Sequence, residues 1–413
     1  MEYVKKIAGV CLFILIWSVI SVYGGLSGWW LKPIAPPNDA EQFFSSTVEL
    51  IEQNTKGNIA FALIENGEVA KEYFVSKDQH IDRNSLFPTA SFSKWMTAYG
   101  VMKLIEQGKI DLDQPISNYL TRWSLPSSEF GSEKVTVRHL LSHTSGLTDK
   151  LGFADYRPNE TMPSLIESLN QPKASSGKQV KITLGVPVGE EWIYSGGGYL
   201  ILQLLIEEVT QQGFAEYMQQ AVFAPLSMQR SNYDFIGSHE NISNFYDQEG
   251  NPSEMYQYAS SAATGLSSSI ADLTRFVQAN IHPAQQNGAI SKNTIDSMRT
   301  PLGHKLGADI WGLGVMLYAP TASGDYVYGH DGSNEPAINS AVRINPETGD
   351  AVIVLASGNK TLASTIGYHW VLWQTGYPDF LAFEAALQSA FQPWAIGSLL
   401  IILLMSILFI RRR

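Results

Sequence analysis

The sequence contains a single cysteine, Cys11, which lies in an apolar segment near the N-terminus. The rest of the chain therefore has no disulfide, no cysteine nucleophile and no cysteine metal ligand. Low-complexity tracts and internal repeats are also absent, while 45% hydrophobic and 11% aromatic residues are typical of a folded protein. Any catalytic chemistry must use other side chains.

Charge is missing from two long stretches, residues 7–31 and 391–410. Each is long enough to span a bilayer as a helix, the second with Pro393 near its first turn. Basic residues flank the outer end of both stretches, at positions 5–6 and 411–413, so the positive-inside rule predicts that both termini are cytoplasmic. We therefore expect a bacterial plasma-membrane protein whose central part lies on the extracytoplasmic side.

The N-terminal stretch has two interpretations. Its length, and the aromatic pair Trp29 and Trp30 at its end, favour a retained membrane anchor. Small residues at Gly24 and Gly25 could instead provide the cleavage site of a secretory signal. Both interpretations place the central part of the chain outside the cytoplasm.

Basic residues are few between the two apolar stretches. Residues 32–390 contain 38 acidic and 23 basic residues, a net charge near −15. Such a surface repels the phosphates of nucleic acids and anionic lipid headgroups. The sequence therefore excludes nucleic acid as a partner.

The order of elements predicts an α/β (α+β) fold. A helix and a β-hairpin around Asn66 and Gly67 come first, a long helical block follows, and four strands and a helix end the pattern. This order predicts one antiparallel sheet assembled from both chain ends, with an inserted helical subdomain. The expected organisation is a membrane segment at 1–31, a proline-rich linker at 32–41, one catalytic domain at 42–378, a juxtamembrane segment at 379–390, a transmembrane helix at 391–410 and a basic tail at 411–413.

A Ser-x-x-Lys pair opens a strongly apolar segment in "TASFSKWMTAYG", residues 89–100. The segment predicts a buried helix ending near Gly108, on which residues three apart share a face. Ser91 would lie at the N-terminal end, where free N–H groups favour a developing anion, and burial would lower the pKa of Lys94. The alternative is a helix-capping serine beside a solvated lysine. A second copy, Ser175 to Lys178, lies in a Gly- and Ser-rich stretch that predicts a loop.

Two further stretches favour the catalytic interpretation. "IYSGGGY" places Tyr194 before a second apolar helix, and "YGHDGSN" places His330 and Gly332 at the end of a strand. In this order, Ser91 to Lys94, Tyr194 to Gly196 and His330 to Gly332 resemble the three motifs of the serine β-lactamase and penicillin-binding protein superfamily. The resemblance covers residues 42–360 and is to the branch of class C β-lactamases, D-Ala-D-Ala carboxypeptidases, D-aminopeptidases and esterases.

The resemblance implies a role for each residue. Ser91 would be the acylated nucleophile, while Lys94 and Tyr194 would share its proton. The amide groups of Ser91 and Ser333 would form the oxyanion hole, and His330, Gly332 and Gly196 would line the substrate cleft. A glycine at position 332 would also let the strand backbone approach the substrate closely.

Two departures from the family pattern bear on specificity. Position 196 is glycine, and no Tyr-x-Asn occurs in the chain, so the expected side-chain amide is missing. His330 replaces lysine and is mostly neutral at pH 7, which weakens the attraction for a substrate carboxylate. Both changes favour an esterase or D-peptidase over an efficient β-lactamase. Asp331 is adjacent, but side chains alternate along a strand, so it is not expected to charge His330.

Two other motifs do not support a cofactor. His139 and His143 have the i, i+4 spacing of zinc proteases, but no glutamate follows His139 and no third ligand is evident, so we assign both to structure. "YSGGGY" lacks the lysine and hydroxyl residue of a phosphate-binding loop.

The predicted function is a serine hydrolase that forms an acyl-enzyme on a small-molecule or peptide substrate, without metal or cofactor. The alternative is a penicillin-binding or sensor protein that is acylated but turns over little, which Gly196 favours. The sequence does not specify an oligomeric state.

Overall fold

A computed structural model of the chain describes residues 2–149, 155–173, 177–234 and 236–411. Its main feature is an eight-stranded antiparallel sheet flanked by helices, so the predicted fold class is confirmed. The second Ser-x-x-Lys copy begins at Ser175, which lies outside the described residues.

The sheet joins the two ends of the chain. Its strand order is β2-β1-β12-β11-β10-β9-β8-β7, and two short two-stranded sheets pair β3 with β6 and β4 with β5. The strands are β1 Asn58–Glu65, β2 Glu68–Val75, β3 Phe87–Pro88, β4 Asp155–Tyr156, β5 Gln257–Tyr258, β6 Ser267–Ser268, β7 Gly303–Lys305, β8 Ala308–Trp311, β9 Met316–Pro320, β10 Tyr326–Asn334, β11 Ile338–Asn345 and β12 Asp350–Ser357.

The two chain ends meet in the sheet where β1 pairs with β12, from Asn58 with Ser357 to Ile64 with Ala351. The β1–β2 connection has positive φ at both Asn66 and Gly67, as a type I′ hairpin turn requires. The predicted hairpin and the predicted sheet from both chain ends are therefore present.

The helices cover both faces of the sheet. The α-helices in the described chain, including the two terminal ones that pack on each other, are α1 Glu2–Leu26, α2 Ala40–Asn54, α3 Ser93–Glu106, α4 Val137–Leu141, α5 Leu165–Asn170, α6 Gly196–Thr210, α7 Phe214–Met218, α8 Ser261–Thr264, α9 Ile270–Ile281, α10 Lys292–Met298, α11 Leu362–Thr375 and α12 Phe383–Arg411. On one face, α2 and α11 meet through Phe43 and Trp373, whose stacked rings are 4.7 Å apart. On the other face, α3 and α6 are buried along most of their length and form the core of the helical region.

Two helices are long and apolar enough to cross a membrane, over Ile7–Leu26 and Ala386–Phe409. They pack antiparallel: a Cβ atom on Gly25 would contact Ala386, and one on Gly397 would contact the Trp17 ring. The Trp17 indole N–H donates to the Pro393 carbonyl at 3.1 Å, and Trp394 donates to Ser18 at 2.8 Å.

The C-terminal helix starts earlier than the sequence predicts. It begins at Phe383 rather than near residue 391, so Pro393 lies well inside α12 and not in its first turn. Proline marks a helix start in sequence reasoning because it lacks the N–H donor. Here the preceding residues, which include a buried Ala386 and Ala390, continue the helix against α1.

Candidate active site

Ser91 lies in a 3₁₀ turn, Ala90–Phe92, that leads directly into α3. The preceding residue, Ala90, has φ +50, a conformation that non-glycine residues rarely adopt. Strained backbone of this kind is concentrated at functional sites. The turn leaves Ser91 half-buried between two fully buried neighbours, so its hydroxyl group is the part of this segment that a substrate can reach.

Lys94 lies one turn further on, in the first turn of α3. Its Nζ is 3.3 Å from Ser91 Oγ and donates to the Ala263 carbonyl at 3.0 Å. Only 1% of Lys94 is exposed. Burial lowers the pKa of Lys94 to about 7, although the carboxylate of Asp149 opposes this shift. A substantial fraction of the amine is therefore neutral at pH 7 and can accept a proton.

Tyr194 completes the group around the Ser91 hydroxyl. Its side chain is hydrogen-bonded to Ser91, and its ring centroid is 4.8 Å from Lys94 Nζ. Burial raises the pKa of Tyr194 above its ordinary value, and the hydrogen bond with Ser91 opposes this only in part. The phenol therefore stays protonated near neutral pH and can donate a proton.

The start of α6 holds Tyr194 in place. Ser195 is the N-cap of this helix, and its hydroxyl accepts from the Gly198 amide at 2.9 Å. The same hydroxyl donates to Asp149 Oδ1 at 2.5 Å, and the Gly197 amide donates to Oδ2 at 2.9 Å. A protein carboxylate thus satisfies the N-terminus of α6, where a phosphate would bind in a phosphate loop.

Gly196, the first residue of α6, is buried next to Tyr194. The asparagine that the family motif has at this position would offer its side-chain amide to Lys94. The ammonium group instead contacts two aromatic rings, with Nζ 4.8 Å from the Tyr194 centroid and 5.5 Å from the Tyr199 centroid. Aromatic faces attract a cation without offering a hydrogen-bonding carbonyl or amide to a substrate.

The third predicted motif lies on β10, next to Ser91. Strand β9 pairs with β10 only up to Gly329, and β11 pairs with it up to Asn334. On the β9 side, no other strand in the described chain pairs with residues 330–334. This open edge faces the nucleophile, since a Cβ atom on Gly332 would be 2.9 Å from the Ser91 amide nitrogen and 2.1 Å from the Thr89 carbonyl oxygen. Only glycine allows so close an approach.

His330 and Ser333 lie on this edge, on either side of Gly332. The Ser333 hydroxyl donates to the Lys360 carbonyl at 3.2 Å. His330 is fully buried, and its Nδ1 is 2.6 Å from the Asp331 carbonyl oxygen, so Nδ1 carries the proton. Burial and the nearby charge of Lys94 lower the pKa of His330 to about 3. The expectation of a neutral histidine therefore fits this environment.

The Asp331 carboxylate points away from His330. It accepts from Arg343 at 2.8 Å and from the Tyr318 hydroxyl at 2.8 Å. Arg343 is fully buried and also contacts the carboxylate of Asp379, the N-cap of the short turn before α12. A buried ionic cluster thus connects the active-site strand to the start of the C-terminal helix.

His143 is a site residue that sequence reasoning missed. Its ring lies 4.5 Å from the Tyr194 ring and 4.7 Å from the Trp311 ring, and its Nδ1 accepts from the Ser195 amide at 3.1 Å. Burial, Lys94 and His330 lower the pKa of His143 well below its ordinary value. The only sequence signal was a histidine in "HLLSHTSGL", four residues after His139.

His139 has a different environment, since it forms a capping box with Thr136 at the start of α4. The described residues include no group of three or more His, Cys, Asp or Glu side chains that could hold a metal ion. The two histidines therefore do not form a zinc site with any described third ligand.

Comparison with known proteins identifies the family. The family model named Beta-lactamase matches residues 47–375. The chain belongs to the Beta-lactamase family. It is accordingly a member of the superfamily of serine hydrolases and penicillin-binding proteins that the three motifs resemble.

The curated relatives include a penicillin-binding protein and a protein named flp. Penicillin-binding protein 4* of Bacillus subtilis is 31% identical over 156 residues, which are 37% of this chain and 32% of that protein. Protein flp of Staphylococcus aureus is 22% identical over 352 residues, 80% of this chain and 66% of that protein. The match thus spans about a third of the length of penicillin-binding protein 4* and just under two thirds of the length of protein flp.

Solved structures share the fold. The octameric penicillin-binding protein homologue from Pyrococcus abyssi superposes with a TM-score of 0.65 at 24% identity, covering 82% of this chain and 78% of that one. The penicillin-binding protein from Bacillus halodurans superposes with a TM-score of 0.60 at 20% identity, covering 78% and 97%. At this identity the similarity establishes the fold alone.

Proposed function

We propose that the protein is a membrane-anchored, exported serine hydrolase that forms an acyl-enzyme at Ser91. The observation that carries the proposal is the position of the buried Lys94 amine, 3.3 Å from the half-exposed Ser91 hydroxyl. A lysine with a pKa of about 7 can remove the serine proton near neutral pH. A capping serine beside a solvated lysine would have neither this burial nor this pKa.

In the acylation step, Lys94 takes the Ser91 proton as Oγ attacks the substrate carbonyl carbon. The amide groups of Ser91 and Ser333 are the proposed donors to the oxyanion. Removing one such donor typically costs about 3 to 4 kcal/mol of transition-state stabilisation. When the tetrahedral intermediate collapses, Tyr194 gives its proton to the leaving alcohol or amine and regains one from Lys94, which becomes neutral again.

Deacylation repeats the same proton path with water. The Tyr194 hydroxyl accepts a proton from the attacking water as it passes its own proton to Lys94, and the acid leaves when Ser91 Oγ is protonated again. The raised pKa of Tyr194 supports a role in which Tyr194 passes on a proton, rather than one in which it is a permanently ionised base. Lys94 is then the group that temporarily holds the transferred proton in both acylation and deacylation.

The proposed substrate is an ester or an amide, with cell-wall D-peptides as one possible source and weak β-lactam hydrolysis at most. A neutral His330 attracts a substrate carboxylate less than the lysine found in β-lactamases. Gly196 removes the amide that would hold a substrate carbonyl. The names of the relatives, which include penicillin-binding proteins, support D-peptide-like substrates.

The two apolar helices are the proposed anchor in the bacterial plasma membrane. Their antiparallel packing supports a topology with both chain ends on the same side, and the flanking basic residues favour the cytoplasmic side for both. The contacts of Trp17 and Ser18 with α12 support a retained N-terminal helix rather than a cleaved signal. The hydrolase domain would then lie outside the cytoplasm.

The test uses the full chain in detergent micelles with p-nitrophenyl acetate and a fluorescent penicillin. We expect turnover of the ester that Ser91→Ala abolishes, while Ser124→Ala, at an exposed serine outside the site, retains it. Turnover that survives in Ser91→Ala would refute the proposal. Stoichiometric penicillin labelling at Ser91 without ester turnover would instead establish the alternative, a sensor that is acylated but hydrolyses little, as the missing amide at Gly196 suggests.

A further inference from the structure

A cavity lies where the hydrolase fold meets the C-terminal helix. It occupies about 460 Å³ between the β7–β8 hairpin and the start of α12. Its walls are mainly apolar and include Trp192, Leu306, Ile310, Phe380 and Phe383. We call this cavity the hairpin pocket. Its volume is in the range of about 300 to 1,000 Å³ that is usual for small-molecule sites.

The hairpin pocket lies at the level where α12 would enter the membrane. Phe383, which lines it, is three residues before Ala386, the first residue of the candidate membrane span. At about 1.5 Å per helical residue, this separation is roughly 4.5 Å along the helix axis. The pocket would therefore open at the depth of the lipid headgroups.

Leu306, at the tip of the β7–β8 hairpin, is a large apolar side chain in an unusual place. It is 82% exposed, and among the described side chains of residues 31–376 it is the only exposed large hydrophobic one. Its φ is +52 and that of Gly307 is +82, a turn in which the first position normally carries Asn, Asp or Gly. Neither solvent exposure nor turn geometry favours leucine here, whereas contact with a lipid surface does.

One lining residue of the pocket, Trp192, lies next to the active site. The Trp192 ring lies 5.6 Å from the Trp311 ring and 6.4 Å from the Tyr194 ring. Lys305 Nζ lies 5.8 Å from the Trp192 ring centroid, so a cationic group is positioned beside the pocket. A ligand in the pocket would contact the indole ring that lies next to the catalytic tyrosine. The two charged side chains that line the pocket, Lys305 and Glu384, have opposite signs, so the pocket does not select an anionic headgroup.

We propose that the hairpin pocket binds the hydrocarbon chain of an amphiphile from the outer leaflet, and that the substrates of Ser91 are esters or amides that carry such a chain. The apolar walls, the depth of the opening and the exposed Leu306 all suit a chain that enters from the bilayer. Trp192 places the bound chain next to Tyr194. The substrate class rests on the proposed serine hydrolase function, whereas chain binding rests only on the proposed membrane anchoring.

Chain-length dependence tests the substrate class. For the full chain in detergent, kcat/KM should rise at least tenfold from p-nitrophenyl acetate to the dodecanoate, assayed below its critical micelle concentration.

Ala308 is exposed and lines the pocket, so Ala308→Trp should fill it without disturbing the core. We expect this variant to retain acetate turnover and to reduce the dodecanoate gain to less than threefold. Ala322→Trp, at an exposed alanine in another turn, is the matched control. An equal gain in all three proteins would overturn the substrate class.

Photo-crosslinking tests chain binding itself. The Ser91→Ala protein, reconstituted in vesicles with a phosphatidylcholine that carries a diazirine near the end of one acyl chain, should become labelled at Trp192 or at Ile310, which is only 2% exposed. Ala308→Trp should abolish this labelling. Labelling confined to Leu306 and α12 would mean that the hairpin touches the bilayer without binding a chain, and would overturn the proposal. Labelling of the pocket in a protein without Ser91-dependent ester turnover would refute only the proposed hydrolase.

Discussion

The imidazole ring of His143 packs against the phenol ring of Tyr194, with the two centroids 4.5 Å apart. The same imidazole accepts a hydrogen bond from the amide of Ser195, the residue that follows Tyr194. His143 thus contacts both the Tyr194 ring and the backbone amide that follows it, and so positions the Tyr194 side chain. Because it is buried and neutral, it acts through position rather than through charge.

Replacing His143 should therefore affect the chemical step more than substrate binding. His143→Phe removes the acceptor for the Ser195 amide, and we expect kcat on an acetate ester to fall about 10- to 100-fold with little change in KM. His143→Asn should recover part of the rate, since asparagine offers an acceptor and tolerates the positive φ of this position. Equal losses in both variants, or a loss confined to KM, would show that His143 does not position Tyr194.

The rate should depend on pH through one ionisation. Lys94 must be neutral to accept the serine proton, and its pKa is about 7. We expect kcat/KM to rise about tenfold per pH unit below this value and to level off above it. His330, with a pKa lowered to about 3, stays neutral throughout the range from pH 5 to 9. An ester assay over this range checks the prediction, which a value of kcat/KM that still rises about tenfold per pH unit between pH 8 and 9 would contradict.

Gly332→Ala should inactivate the enzyme. The added Cβ atom would be 2.1 Å from the Thr89 carbonyl oxygen and 2.9 Å from the Ser91 amide nitrogen, both backbone atoms that cannot move aside freely. Displacing the oxyanion-hole donors should cost about 10² to 10³ in kcat. Gly213→Ala is the control, because no atom lies within 4 Å of its added Cβ. Acetate turnover near the wild-type level in Gly332→Ala would exclude the proposed oxyanion hole.

Arg343→Met should destabilise the protein strongly. It would leave Asp331 and Asp379 buried without their shared cation, and breaking a buried pair in this way typically costs about 3 to 5 kcal/mol. Burial already raises the pKa of Asp379 despite Arg343, so the loss of the cation favours its protonated form further. Thermal unfolding in detergent, followed by near-UV circular dichroism, measures the effect.

The control for Arg343→Met is Arg83→Met, which removes a half-exposed ion pair with Glu72. Exposed pairs contribute about 0 to 1 kcal/mol, so its melting temperature should change little. Similar melting temperatures for the two variants would show that the buried cluster does not stabilise the fold.

Sequence reasoning found the parts of the site that depend on local spacing. Ser91 and Lys94 could be paired because residues three apart share a helix face, and the apolar residues after them predicted the burial that lowers the lysine pKa. Tyr194 and His330 required the family resemblance, since nothing local in the sequence connects them to Ser91. The β1–β2 hairpin was predictable because Asn-Gly between two β-rich runs is a strong turn signal.

The residues that sequence reasoning missed are those whose role depends on distant partners. His143 looks like part of a histidine pair with His139, yet its ring contacts Tyr194, Tyr199 and Trp311, which come from other segments. The β7–β8 hairpin was missed because strands of three and four residues, in "GHKLGADIW", lack a clear apolar alternation. The start of α12 was misplaced because Pro393 suggests a first turn.

The pairing of β1 with β12 has a consequence for biosynthesis. The partner of Asn58 is Ser357, so β1 and β12 cannot pair until residue 357 has left the ribosome. Contacts between residues so distant in sequence form slowly. Strand β1 can therefore pair only with β2 while the helical region between β2 and β12 is being synthesised.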